Sequence, residues 1–237
     1  MLSVVIPAYN EEKNLPATLE SVRVALKDIP SAEVIVVDNE SPDTTREIAA
    51  AFGATIVDES VHNIARVRNT GAAHAQGDIL VSIDADTHVP PTLFEKIIEL
   101  NRDETVLGGS VDVRCEPAPR QAWIRLYIST FQTTGRIVKW RQGAAQFCRA
   151  EAFRELGGYD ETIYVGEDIE FQWRLAKYAR ASGGRVEFIA DPTVSSSPRR
   201  FEHLGLIRSL FFTHPAVVFL GWRTRFIWKY WYEKAIR

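Results

Sequence analysis

Two aspartates separated by a single residue carry the sharpest chemical signal in the sequence. Asp84 and Asp86 follow residues 79–83, a nearly continuous apolar run with the composition of a strand buried on both faces. Two carboxylates at this spacing in an extended chain point the same way, and a cation between them relieves their repulsion. Mg2+ and Mn2+ favour the oxygens of carboxylates, phosphates and water. The pair therefore predicts a divalent metal site, and a capped turn before Pro90 and Pro91 is the alternative.

Polar residues also follow the two earlier apolar runs of the sequence. The run at residues 4–6 leads into Glu11, and the run at residues 34–37 leads into Asp38 and Asn39. In open parallel sheets, ligands bind beyond the carboxyl ends of the strands. We therefore expect these side chains to converge with the aspartate pair on one edge of a sheet.

Helical patterns separate the apolar runs. One helix is expected to start near Glu11, a second to run from Ser41 as its cap to Gly53, and a third to cover residues 63–75. This alternation predicts an α/β fold with a mostly parallel central sheet and helices on both faces. The later segments with a regular pattern are a strand over 105–113, helices over 122–138 and 167–180, a strand over 186–189 and a helical C-terminal part.

The composition is that of a folded protein, with 237 residues, 46% of them apolar and 25% charged. The net charge of −3 gives no indication of a nucleic-acid partner. From Arg199 onward, the sequence contains eight basic residues but only two acidic ones, Glu202 and Glu233. Aromatic residues are interleaved with the basic ones. This pattern is typical of peripheral contact with a membrane, here its cytoplasmic face, although core packing or a dimer contact is the alternative. We expect a cytoplasmic protein without a signal peptide or a membrane-spanning helix.

These motifs occur in the order found in one known family. The chain resembles the inverting glycosyltransferases of family 2, which have the GT-A fold. The segments that carry the resemblance are residues 4–12, 36–41, 68–71 with 77–78, 84–86, 157–161 and 166–168.

The resemblance implies a transferase that moves a sugar from a UDP- or GDP-type donor to a saccharide or a polyprenyl-linked acceptor. It implies Mn2+ or Mg2+ at Asp84 and Asp86, with His88 or His203 as a third ligand, and a general base at Asp168. The residues implied to line the nucleotide-sugar site are Pro7, Ala8, Tyr9, Glu11, Asp38, Arg68, Asp84, Ala85 and Asp86.

The chemistry of such a transfer accounts for the residue types independently. Negative charge builds on the departing diphosphate, and a metal ion with Arg68 or Arg66 can neutralise it. The attacking hydroxyl must lose a proton on the opposite face of the sugar, and Asp168 at a helix start suits this role. A helix cap is the alternative for Asp168. Arg199 and Arg200 follow three serines in a loop that can hold a diphosphate or an acceptor phosphate.

Two features depart from the family pattern. Residues 38–41 read Asp-Asn-Glu-Ser where many relatives carry Asp-Asp-Gly-Ser, and the Gln-x-x-Arg-Trp signature of processive synthases is absent. A single-addition enzyme is therefore favoured, with a nucleotidyltransferase or a non-catalytic sugar-nucleotide sensor as the alternatives. We assign residues 1–110 to nucleotide-sugar binding, 111–202 to the acceptor and the base, and 203–237 to a helical tail.

Overall fold

A computed structural model describes residues 1–116, 118, 121–137, 143–199, 215–224, 226 and 228. The strands are β1 (Leu2–Ala8), β2 (Ala32–Asp38), β3 (Thr55–Asp58), β4 (Ile79–Ile83), β5 (Thr87–His88), β6 (Val106–Cys115), β7 (Ala145–Arg149) and β8 (Arg185–Ser196). The helices are α1 (Leu15–Ala25), α2 (Thr45–Phe52), α3 (Ile64–His74), α4 (Leu93–Asn101), α5 (Ala122–Ile137), α6 (Ala150–Glu155), α7 (Glu167–Ala181) and α8 (Pro215–Gly221). Across these described segments, no helix combines the length and the apolar character needed to cross a bilayer.

One mixed sheet organises the described part of the chain, with eight strands in the order β3-β2-β1-β4-β7-β6-β8-β5. The pairs β1–β2, β1–β4, β2–β3 and β6–β8 are parallel. Strand β7 is antiparallel to both β4 and β6, and β5 is antiparallel to β8. The predicted α/β class is confirmed, and the reversed strand β7 makes the sheet mixed.

Helices cover both faces of the sheet, as the buried strands require. Val4 and Ile6 of β1 pack with α1 and α4 on one face, whereas Val5 packs with Val67 of α3 on the other. Successive side chains of a strand point to opposite faces, so a continuously apolar strand must be covered twice. β6 runs through residue 110, so the two predicted halves share this sheet, and the division itself stays a prediction.

Helix α3 lies unusually close to the sheet. A Cβ on Gly71 would lie 2.7 Å from Val37 Cγ2 and closer still to Val5 Cγ1, so only glycine allows this approach. Arg68 lies one turn before Gly71 on the same face of the helix. The packing of α3 therefore carries the Arg68 side chain to the sheet edge described next.

One edge of the sheet collects the predicted site residues. The ends of β1, β2, β4, β6 and β8 and the start of β7 share this edge, as the strand pairing requires. We call it the carboxyl edge. The residues that follow these strand ends include Tyr9, Glu11, Asp84, Asp86 and Arg199.

Two predicted helix starts are wrong. Helix α1 begins at Leu15 rather than near Glu11, and α2 begins at Thr45 rather than just after Ser41. Ser41 does not cap α2, because its Oγ accepts a hydrogen bond from the backbone N of Asn10 at 3.1 Å. The segments before both helices are thus used to tie the ends of β1 and β2 together.

Other boundaries were predicted with mixed success. Gly53 ends α2 in a left-handed conformation with φ of 88°, as expected. The sequence did not predict β3, β5 or β7, and β8 extends to Ser196, well beyond the predicted end at residue 189. Of the predicted helical tail, the structure describes α8 and residues 222–224, 226 and 228, and the rest lies outside the described residues.

Candidate active site

A buried arginine joins two elements at the carboxyl edge. Arg68 donates from Nη2 to Asp84 Oδ1 at 2.7 Å and from Nη1 to Glu167 Oε1. Its Cζ atom lies 5.6 Å from the centre of the Tyr159 ring. A charge removed from water is stable only when opposite charges and hydrogen bonds replace its hydration. Arg68 thereby holds the residue after β4 against the first residue of α7.

Burial controls the protonation of this cluster. It lowers the pKa of Arg68, but the charges of Glu167 and Asp84 outweigh it, so this pKa lies above its usual value and the guanidinium stays charged. Burial raises the pKa of Glu167 to about 7, with Arg68 opposing and Asp168 adding to the rise. Burial also raises the pKa of Asp168, against the opposing charge of Arg68 and a hydrogen bond from the backbone of Ile169. Adjacent acids with raised pKa values are typical of sites that transfer protons.

The carboxylate of Asp168 rests against the backbone just before β7. The backbone N–H of Ile169 donates to Asp168 Oδ1 at 2.8 Å, and the N–H of Gly143 also donates to this carboxylate. A Cβ on Gly143 would lie 2.8 Å from Asp168 Cγ and closer still to its Cβ and Oδ2. Asp168 is not the cap of α7, since Gly166 occupies that position. Gly143 therefore sets where the carboxylate lies.

A second arginine faces the other aspartate of the pair. Arg199 Nη2 lies 3.3 Å from Asp86 Oδ2 and donates to Glu11 Oε1. Ser196 Oγ donates to Asp86 Oδ1 at 3.4 Å, and Asn14 Nδ2 donates to Glu11 Oε2 at 2.9 Å. The structure thus brings together Glu11, Asp86 and Arg199, which lie far apart in the sequence.

An aromatic ring and a buried carboxylate lie at the ends of β1 and β2. Tyr9 packs edge-on against His62, with 5.0 Å between the ring centres. Asp38 is buried, and its Oδ1 accepts a hydrogen bond from the backbone N of Ser41 at 3.3 Å. A flat apolar surface beside a hydrogen-bond acceptor suits the base or the ribose of a nucleoside.

The departure from the family pattern at residue 39 has a structural role. Asn39 is buried, and its Nδ2 donates to the carbonyl of Val61 at 3.1 Å and to the carbonyl of Glu59. An ionised aspartate could donate neither bond. Asn39 therefore fastens the segment after β3 to the end of β2, and this segment carries His62.

Three of the predicted site residues, Pro7, Ala8 and Ala85, contribute mainly through their backbone or through core packing at the carboxyl edge. Pro7 and Ala8 pair with β2, and the side chains of Ala8 and Ala85 belong to the core. The carbonyl of Ala8 accepts from the backbone N of Asn39 at 2.9 Å, and that of Ala85 accepts from Thr18 Oγ1 at 2.8 Å. These contacts fix the backbone from which the polar side chains project.

The donor set of the aspartate pair fits a hard divalent cation. Asp84 and Asp86 offer carboxylate oxygens, and in the structure each faces a guanidinium, so the pair already lies in a position that requires positive charge. Within the described segments, no three His, Cys, Asp or Glu side chains form a group that could hold a metal ion. His88 is exposed on β5 and is not brought into such a group. His203, the other candidate ligand, and Arg200 lie outside the described residues.

Sequence reasoning did not identify four residues of this site. Glu167 shares the Gly-Glu-Asp motif of residues 166–168 with Asp168, but the sequence favours Asp168 as the base. Gly143 and His62 have no sequence signal of their own, because their roles depend on distant partners. In the sequence, Glu40 differs from the glycine of the family pattern, and this difference alone assigns it no role.

Comparison with known proteins identifies the family. The family model described as "Glycosyl transferase family 2" matches residues 3–157 of the chain. The chain belongs to this family. Among its relatives, the succinoglycan biosynthesis protein ExoA of Rhizobium meliloti is 29% identical over an alignment of 200 residues, and the alignment covers 73% of this chain and 57% of ExoA. The dolichol-phosphate mannosyltransferase of Pyrococcus furiosus is 32% identical over an alignment of 115 residues, and the alignment covers 46% of this chain and 32% of that protein. The chain thus spans a third to little more than half of these relatives.

Solved structures share the fold of this family 2 chain. One is the mannosyltransferase PcManGT from Pyrobaculum calidifontis in complex with GDP-Man and Mn2+, with a TM-score of 0.64 at 24% identity. The superposition covers 85% of this chain and 58% of PcManGT. Another is S. aureus TarS 1–349 in complex with UDP-GlcNAc, with a TM-score of 0.67 at 19% identity. The superposition covers 85% of this chain and 60% of TarS 1–349. At these identities the likeness establishes the fold, and the predicted GT-A architecture is confirmed.

The raised pKa of Glu167 predicts a pH-dependent stability of the metal-free protein. A carboxyl whose pKa rises from 4.5 to about 7 on folding binds its proton more tightly in the folded state. Its contribution is therefore complete below pH 4.5 and is lost as the pH rises toward 7, by at most about 3 kcal/mol. Urea unfolding in EDTA across this range should show Glu167→Gln with a flatter pH dependence than wild type.

The control is Glu151→Gln, which removes an exposed carboxylate on α6 and should keep the wild-type slope. Identical slopes for wild type and Glu167→Gln would contradict the raised pKa.

Proposed function

We propose that this chain catalyses the transfer of a sugar from a nucleoside diphosphate to an acceptor, with inversion at the anomeric carbon and with a divalent metal ion. One observation carries the proposal: two carboxylates after β4 share a sheet edge with two adjacent acids, the buried Glu167 and the half-buried Asp168. The first pair suits a diphosphate with its metal, and the second suits proton transfer. Family membership and the shared GT-A fold support the same conclusion.

The donor lies along the ends of β1, β2 and β4 in this proposal. Tyr9 and Asp38 contact the nucleoside, and Arg199 contacts the diphosphate, which accepts charge-assisted hydrogen bonds from a guanidinium. Structural neighbours contain GDP-Man or UDP-GlcNAc, so a UDP- or GDP-type donor is proposed. Arg200, predicted for the same role, remains a proposal for a residue outside the described segments.

The metal ion is Mn2+ or Mg2+ in this proposal, and one structural neighbour contains Mn2+. Asp84 and Asp86 would hold it, and it would supply charge neutralisation at the departing diphosphate. The contacts of Arg68 and Arg199 keep both carboxylates close to positive charge.

Asp168 is proposed to remove the proton of the acceptor hydroxyl. Its position is set by the backbone of Gly143 and Ile169, and its raised pKa brings it closer to the pH at which it must accept a proton. Arg68 holds the neighbouring Glu167, which favours Asp168 over Glu167 as the proposed base. A base opposite the leaving group gives inversion by a single displacement.

The acceptor is proposed to be lipid-linked, either a polyprenyl phosphate or a sugar built on one, with a free saccharide as the alternative. One relative is a dolichol-phosphate mannosyltransferase, whose name refers to a polyprenyl phosphate. In the described part of the tail, Leu220 and Phe226 are 87% and 85% exposed, next to the exposed Arg223. Exposed apolar side chains beside a cation suit a membrane surface. We therefore propose peripheral contact with the cytoplasmic face of the membrane.

Metal-dependent donor binding is the first test of the proposed function. Asp86→Asn removes one carboxylate donor at constant size, so in Mn2+ the affinity for GDP or UDP should fall by about 10-fold or more. Isothermal titration calorimetry of wild type in Mn2+ and in EDTA should show a similar difference. Asp28→Asn, an exposed aspartate after α1, controls for the loss of one charge.

Equal affinities in Mn2+ and EDTA for both proteins would refute the metal site. Release of pyrophosphate, rather than a nucleoside diphosphate, would indicate a nucleotidyltransferase instead.

The position of Asp168 is tested by two substitutions. Asp168→Asn should reduce kcat for a hydroxyl acceptor by about 10²-fold or more, because a general base is lost. Gly143→Ala should also reduce kcat, with little change in donor affinity, because the added methyl group displaces the carboxylate. Gly183→Ala has a positive φ and open space around it, so it controls for a general loss of stability.

NMR of the anomeric proton gives the stereochemistry of the first product. Wild-type activity of Gly143→Ala, or an α-linked product from an α-linked donor, would defeat this assignment of the base.

Membrane contact is tested by sedimentation with vesicles of phosphatidylcholine and phosphatidylglycerol. The double variant Leu220→Ser/Phe226→Ser should bind these vesicles several-fold more weakly than wild type, because less apolar surface enters the interface. Val24→Ser on α1 is the matched control. Wild type that remains in the supernatant, together with full activity on a free oligosaccharide, would leave a transferase without membrane contact.

A further inference from the structure

Glu40 adopts a backbone conformation that its side chain disfavours. It follows the end of β2 with φ of 60°, in the left-handed region. Asn10, at the same edge after β1, also has a positive φ of 56°, but asparagine tolerates this region and glutamate does so rarely. A glycine at residue 40, as in the Asp-Asp-Gly-Ser pattern of many relatives, would avoid the cost. Such strain persists where the surrounding structure holds it and often marks a functional site.

The residues on both sides of Glu40 are fixed by hydrogen bonds. Asn39 donates to the carbonyl of Val61 at 3.1 Å. Ser41 donates from its backbone N to Asp38 at 3.3 Å, and its Oγ accepts from the backbone N of Asn10 at 3.1 Å. The backbone of Glu40 is thus held from both sides, which leaves its carboxylate projecting from the carboxyl edge.

The Glu40 carboxylate meets the side chain of His62, which follows β3. Its Oε2 lies 3.5 Å from His62 Nε2, and the His62 ring packs edge-on against Tyr9 with 5.0 Å between ring centres. The side chain of Glu40 remains largely exposed despite this contact. The Glu40 carboxylate, a hydrogen-bond acceptor, therefore lies beside the Tyr9 and His62 rings, whose surface suits a nucleoside base.

We propose that Glu40 reads the base of the donor and selects guanine over uracil. Guanine presents two adjacent donors, N1–H and the 2-amino group, which a carboxylate can accept as a bidentate pair. Uracil presents a single N–H between two carbonyl oxygens, and these oxygens repel a carboxylate. The donor is then a GDP-sugar. This inference rests on the proposed function, because it assumes that a nucleoside diphosphate binds at this edge.

Calorimetric titration of GDP and UDP in Mn2+ tests the inference without any acceptor. Wild type should bind GDP at least about 10-fold more tightly than UDP, in the range expected for charge-assisted hydrogen bonds. Glu40→Gly should remove most of this preference by weakening GDP alone. Glycine fits the left-handed backbone, so the Tm of this variant should be unchanged or higher, and a loss of GDP binding cannot be ascribed to unfolding.

Two further variants make the result specific. Glu40→Gln keeps the size of the side chain but offers a single acceptor oxygen, so it should give an intermediate ratio of GDP to UDP affinity. Glu20→Gln removes an exposed carboxylate on α1 and should change the affinities for both nucleotides alike, because only the long-range charge differs.

Three outcomes would overturn the inference. Wild type that binds UDP as tightly as GDP would do so, as would a Glu40→Gly variant that loses both nucleotides equally, since that result indicates a contact with ribose or phosphate. Absence of binding of either nucleotide to wild type in Mn2+ would overturn the proposed function and this inference with it. Failure of the specificity alone is therefore distinguishable from failure of the function.

Discussion

The burial of the Arg68 guanidinium between Asp84 and Glu167 is the interaction on which the rest of the site depends. A buried ion without partners costs several kcal/mol, so the two carboxylates and the arginine must be retained together. Arg68 is carried to this position by α3, whose close approach to β1 and β2 requires Gly71. The core therefore determines where the positive charge lies, and the charge determines how the start of α7 meets the end of β4.

This arrangement places two adjacent acids away from bulk water, with Glu167 buried and Asp168 half-buried. Burial favours the neutral forms of Glu167 and Asp168, and Arg68 opposes this effect for both. Glu167 makes the direct ion pair, whereas Asp168 is held by backbone N–H groups and remains the acid whose position depends on Gly143. The same sequence motif thus supplies Glu167, which anchors the start of α7, and Asp168, which we propose as the base.

The reversed strand β7 brings the segment before it into contact with both Asp84 and Asp168. It lies between β4 and β6, so its start shares an edge with the end of β4, and the backbone N of Asp84 donates to the carbonyl of Ala144 at 3.1 Å. Gly143, which contacts Asp168, is the next residue toward the N-terminus. A wholly parallel sheet would have placed the start of this strand at the opposite edge, away from the aspartate pair.

The sequence by itself determined the features that depend on local pattern. Apolar runs predicted β1, β2 and β4, the polar residues after them predicted the carboxyl edge, and the ordered motifs predicted the family. The role of Asp168 as the base stays a prediction. The short strands β3, β5 and β7 were not predictable, because they form only against neighbours distant in the sequence. For the same reason only the tertiary structure decided that Ser41 ties two strand ends together, that Arg68 pairs with Glu167, and that Glu40 is held in a left-handed conformation. Spacing along the chain sets which side chains are available, whereas ion pairs and close backbone contacts depend on how helices and strands pack.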